Sequence, residues 1–135
     1  MKIGFVFKYE NKIGGGHFWR CFNLASLIKK KNTKIYFFSN HLPKNYLNIL
    51  DKEKYNFIKI SKKNNEDFKK DSLTKIEKLQ IFNIIIDCYD LDRKYKILLK
   101  QTVKHLIVID DHVEKKHSCD VLINNNFLSQ SSKNK

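Results

Sequence analysis

Three of the chain's four glycines stand together at Gly14-Gly15-Gly16, and His17 follows them at once. Arg20 lies three residues further on and Cys21 four. Glycine lets a backbone take positive φ and approach a ligand closely. A helix that opens just after such a turn offers free N–H groups and the positive end of its dipole, which suits an anion such as a phosphate. At that helix start the dipole disfavours the imidazolium, so His17 is expected as a neutral ring able to accept a proton near pH 7. Arg20 falls on the same helical face one turn along, placed to hold a phosphate or a carboxylate. Cys21 instead joins the apolar series Cys21, Leu24, Ala25, Ile28 at i, i+3, i+4, i+7 and reads as core. The stretch is neither G-x-G-x-x-G nor a P-loop, since Trp19 stands where the third glycine would be and no Gly-Lys-Ser/Thr follows. A tight turn, a capping histidine and an arginine in a surface ion pair remain the bland reading of the same residues.

Two more segments carry polar groups directly after apolar runs. Asp87-Cys88-Tyr89 follows "NIII", and Asp110-Asp111-His112, with His117 close behind, follows "LIVI". The list Asp110, Asp111, His112, His117, Cys119, Asp120 matches no zinc spacing such as paired C-x-x-C or H-E-x-x-H, so no metal is expected. A polar mouth for sugar hydroxyls is the expectation, with Asp90 or Asp92 capping the helix that follows.

The elements that must position these groups alternate along the chain. Strands are expected at Lys2 to Phe7, Lys34 to Ser39, Tyr55 to Ile60, Phe82 to Asp87, His105 to Asp110 and, more briefly, Asp120 to Asn125. Helices are expected at His17 to Lys31, shortly after Pro43, at Glu66 to Gln80 with Phe68, Leu73, Ile76 and Leu79 inward, and at Asp92 to Val103 with Tyr95, Leu98, Leu99 and Val103 inward. "NIII" and "LIVI" are nearly continuous apolar runs, as in strands buried on both faces. Strand–helix alternation predicts an α/β fold, a Rossmann-like parallel sheet with helices on both sides. Residues 1–127 are read as this domain and 128–135 as a polar tail or linker. In such a sheet ligands sit beyond the carboxyl ends of the strands, so the three polar segments, distant in sequence, are expected at one edge.

Composition narrows the classes. A chain of 135 residues with 41% hydrophobic residues can build one core. No apolar run approaches the roughly 18 residues of a membrane span, and "MKIGFVFKYEN" reads as a first strand rather than a signal peptide. Cys21, Cys88 and Cys119 are odd in number and far apart, which points away from a disulfide framework and toward a reducing cytoplasm. The net charge of +13 invites a nucleic-acid reading, yet Arg20 and Arg93 are the only arginines among 27 basic residues. Arginine is the residue of bidentate phosphate and base recognition, and the lysines are spread along the chain. A solvated lysine-rich surface, which helps attract an anionic small molecule, is the reading taken.

Together the segments resemble a known family. "GGGHFWRCFNLASLI" resembles the glycine–His–x–x–Arg–Cys–x–x–Leu–Ala signature of the UDP-sugar hydrolases of pseudaminic acid biosynthesis, shared by related spore-coat polysaccharide proteins. "IIIDCYDLD" resembles that family's Asp–x–Tyr–x–Leu–Asp motif, and "VIDDHVEKKHSCDVLINNN" its Asp-Asp … His–x–Cys–Asp–Leu–Leu … Asn motif. The resemblance implies the N-terminal half of a two-domain, glycosyltransferase-B-like fold. It implies hydrolysis of the bond between UDP and a trideoxy-diacetamido hexose, with no cofactor and no metal. The position matching His17 is then the base that activates water. Gly15, Gly16, Arg20, Asp87, Tyr89, Asp111, His117 and Asn126 fall at positions expected near the substrate. A nucleotide-binding second domain or partner chain is implied, and neither nucleic acid nor membrane. The sequence departs from the pattern at Tyr95-Lys96, where the family usually has Trp-Glu, and in the bulky Phe18-Trp19 pair. Two other readings stand beside this one. They are the acceptor half of a split glycosyltransferase, in which a sugar rather than water attacks, and a non-catalytic binding module.

Overall fold

The computed structural model describes residues 1–10, 15–109 and 119–123. Among these residues six strands form one sheet: β1 (Lys2–Phe7), β2 (Lys34–Ser39), β3 (Asn56–Lys59), β4 (Asn83–Asp87), β5 (His105–Ile109) and β6 (Val121–Ile123). Their order is β3-β2-β1-β4-β5-β6, and every pairing is parallel. This is the strand order of a Rossmann-like doubly wound sheet, as the alternation of elements predicts. Four helices connect the first five strands: α1 (Gly16–Ile28), α2 (Lys44–Lys52), α3 (Asn65–Lys78) and α4 (Arg93–Lys100).

The helices divide between the two faces, and successive strand residues supply both. On β1, Ile3, Phe5 and Phe7 pack with Phe18, Cys21 and Ala25 of α1 and Leu50 of α2. Val6 points the other way, among Phe68 and Ile76 of α3 and Tyr95 and Leu99 of α4. A strand covered on both sides has no polar face to keep, which is why "FVF" and "III" read as unbroken apolar runs.

Helix limits follow local chemistry. Asn64 caps α3 by accepting from the Asp67 N–H at 2.8 Å; Glu66 and Asp67 lie in its first turn and Lys75 and Lys78 in its last, as the dipole favours. Of the two aspartates expected to cap α4, Asp92 does so, accepting from the Tyr95 N–H at 2.9 Å. Pro43 sits at the N-cap of α2, one position before the first turn where it was expected. The last helix ends at Lys100 rather than Val103, and Leu98, expected inward, is half exposed. Lys96 and Ser72 are buried in its stead. The Ser72 hydroxyl donates to the Lys69 carbonyl, leaving its oxygen to accept the Tyr95 phenol at 2.9 Å between α3 and α4. Cys21 and Cys88 are buried thiols. Among the described residues no helix is long and apolar enough to cross a membrane.

Candidate active site at the strand switch point

The chain leaves β1 toward one face of the sheet and β4 toward the other, although the two strands are neighbours. A crevice at their carboxyl ends follows from that divergence. Three chemistry-bearing segments meet there: Lys8 and Glu10 after β1, His17 at the start of α1, and Asp87-Cys88-Tyr89-Asp90 at the end of β4. Lys8, Glu10, His17, Cys88, Tyr89 and Asp90 line a cavity of about 150 Å³.

Asp87 is the last residue of β4 and its side chain is fully buried. Register places it beside Phe7, the last residue of β1, so its carboxylate faces the first turn of α1. Three donors reach it. Arg20 Nε donates to Oδ2 at 2.7 Å, Arg20 Nη2 donates to Oδ1 at 2.5 Å, and His17 Nδ1 lies 2.9 Å from Oδ1. The ionised carboxylate only accepts, so a bond at 2.9 Å requires the proton on Nδ1. That tautomer leaves the Nε2 lone pair as the ring's proton acceptor. The Arg20 Nη2–Nδ1 approach of 3.3 Å is then a contact between two donors that share one acceptor, not a bond. Tyr89 packs edge-on against the imidazole, with ring centroids 5.3 Å apart, and limits its rotation.

The loop that carries Tyr89 is fastened to α3. Lys8 Nζ donates to Asn65 Oδ1 at 2.6 Å and Asp90 Oδ2 at 3.2 Å, and lies 4.9 Å over the Phe68 ring. Asn65 Nδ2 donates to the Asp90 carbonyl at 3.1 Å, and Lys69 reaches Asp92 at 3.3 Å. Lys8, Glu10 and Asn65 were not singled out from the sequence. The rule that selected Asp87, polar residues just beyond a strand's carboxyl end, also selects Lys8.

Several sequence expectations change. The glycines were expected to supply positive φ and closeness to a ligand. Gly15 has φ −95°, and its bareness serves packing: a Cβ there would collide with the Tyr46 hydroxyl and stand 2.9 Å from Cζ. Gly16 has open space where a Cβ would be. Arg20 does hold a carboxylate, but it is that of Asp87. Asp87, expected near the sugar, is fully buried beneath His17. His17 itself is only 12% exposed in its side chain, more enclosed than a helix start suggests. The Phe18-Trp19 pair divides, with Phe18 in the core, stacked on Tyr46 at 4.5 Å, and Trp19 partly in solvent. Cys21 is core as read; burial first, then the charge of Asp87, pushes its thiol well above the usual range. Burial likewise pushes Cys88 up to about 11, so neither thiol is poised as a nucleophile at neutral pH. Gly14, Asp110, Asp111, His112, His117 and Asn126 lie outside the described residues. Among the described residues no cluster of three or more His, Cys, Asp or Glu side chains is arranged to hold a metal ion.

No protein-family model matches the chain, and no curated protein matches it either.

Proposed function

We propose that this domain is the sugar-side half of a cytoplasmic UDP-sugar hydrolase, acting on a UDP-linked trideoxy-diacetamido hexose as in nonulosonate (pseudaminic acid) biosynthesis. The observation that carries the reading is His17, its Nδ1 tied to a buried carboxylate and its ring lining the cavity at the strand switch point. In the proposed step His17 Nε2 takes a proton from water as the oxygen attacks the anomeric carbon. The bond from that carbon to the β-phosphate oxygen breaks, and its electron pair leaves with UDP. Asp87 stabilises the imidazolium so formed. Tyr89, Gly16 and the polar residues of the cavity rim face the sugar. The reading includes a nucleotide-binding domain or partner chain across the crevice, glycosyltransferase-B fashion. It involves neither metal nor cofactor, neither nucleic acid nor membrane.

UDP release from that substrate, measured in the complete assembly with and without an acceptor sugar, tests it. Release into water without acceptor is expected, falling by about 10²–10⁴ in His17→Ala, the usual contribution of a general base. Release that needs an acceptor assigns the site to a transferase. Release that survives His17→Ala removes the base assignment.

A further inference from the structure

We propose that Arg20 is a positioning residue that acts through Asp87 to keep the proton of His17 on Nδ1, and so keeps Nε2 able to accept one. It is not a clamp for the substrate's phosphate or carboxylate. The inference concerns the state of the histidine and holds whatever substrate the site takes.

Asp87 is buried at the end of an interior strand, where an uncompensated carboxylate is costly. The guanidinium fork meets both oxygens, Nε to Oδ2 and Nη2 to Oδ1, and supplies the opposite charge beside them. Arg20 comes from α1, the helix that also carries His17 three residues earlier, so both side chains lie on one face and reach the same carboxylate. The hydrogen bond made by one ring nitrogen of a histidine decides which nitrogen is protonated. With Asp87 ionised, that bond can only draw the proton to Nδ1. Without the fork, the two carboxyl oxygens are no longer both held as acceptors; an O–H on the oxygen facing the ring donates to Nδ1, the ring proton then sits on Nε2, and Nε2 loses its lone pair. Among the described residues, the other ionisable groups around the ring are Lys8, Glu10, Cys88, Tyr89 and Asp90 at the cavity and Cys21 on α1.

The test reads nitrogen shifts of the imidazoles by long-range ¹H–¹⁵N correlation, at a pH where the rings are neutral, in the wild-type chain, Arg20→Met and Arg20→Lys. Wild-type His17 is expected to show a protonated Nδ1 and a lone-pair Nε2. In Arg20→Met the lone-pair signal should leave Nε2, while His41 and His105 keep theirs as internal references. Arg20→Lys retains a charge for folding but cannot span two oxygens, so a mixture is expected. A lone pair on Nδ1 in the wild-type protein refutes the proposal outright. So does a folded Arg20 variant, with native far-ultraviolet dichroism and amide dispersion, in which His17 keeps the wild-type pattern. A merely structural arginine would produce that second result. UDP release plays no part in these readouts, so the hydrolase reading and this inference fail separately.

Discussion

Gly15→Ala and Gly16→Ala are expected to change stability in opposite directions, although the two glycines are adjacent. At Gly15 a Cβ would collide with the Tyr46 hydroxyl and lie 2.9 Å from its Cζ and 3.1 Å from Cε2. Tyr46 cannot simply swing aside. Its ring stacks on Phe18 at 4.5 Å and meets Tyr9 and Trp19 edge-on at 5.8 Å each. Forcing a methyl into such a packed site costs about 1–3 kcal/mol. Alanine is also the poorer N-cap, which adds to the loss. At Gly16 nothing lies within 4 Å of the added carbon, and the residue is already helical. There alanine reduces the freedom of the unfolded chain and should stabilise by about 0.4–1 kcal/mol. For a domain of this size roughly 3–5 °C of Tm corresponds to each kcal/mol. Thermal and urea unfolding of the two variants should therefore fall on either side of wild type. Tyr46→Phe deletes the closest atom, so the Gly15→Ala penalty should shrink in that background, with a coupling of at least about 0.5 kcal/mol. If Gly15→Ala unfolds at or above the wild-type temperature, Tyr46 is not the reason for that glycine, and a turn or ligand requirement returns.

Other expectations follow from single contacts. Ser72→Ala leaves the buried Tyr95 phenol without its acceptor and should cost about 1–3 kcal/mol; with Tyr95→Phe added, the double variant should lose less than the sum of the two, measured by urea unfolding. Asp92→Ala removes the α4 cap, about 1 kcal/mol at neutral pH. The bond from the Tyr95 N–H, with Lys69 beside it, holds the Asp92 carboxyl below its ordinary value. The cap therefore contributes fully above about pH 4, and the stability gap between wild type and Asp92→Ala should close as pH falls below that. Native-state alkylation at pH 8 should spare Cys21 and Cys88. A shift from 9.0 to about 11 leaves Cys88 about 100-fold less thiolate, and burial blocks access to both; rapid labelling of either would contradict the packing.

Sequence alone determined the layer architecture and the sheet edge at which His17, Arg20 and Asp87 meet. Two-sided apolar strands and 3.6-period helices are local records of what each element faces, and β1 and β2 keep the limits that their apolar runs set. Their alternation leaves few topologies, and a parallel sheet has one edge for ligands. Which side chains meet at that edge is a matter of strand neighbours and register, and no local pattern records it. Arg20 and Asp87 are 67 residues apart, and they pair because β4 lies beside β1 with its last residue level with Phe7. The same register buries Asp87 and sets Arg20 against it as counter-charge. Packing between α1 and α2 gives Gly15 its reason in Tyr46. The α3–α4 contact buries Ser72, a residue whose type suggests solvent, because the Tyr95 hydroxyl opposite it needs a partner. The place of His17 at the start of α1, just after the glycines, was legible in the sequence. That a buried carboxylate lies 2.9 Å from its Nδ1 was decided only by the fold.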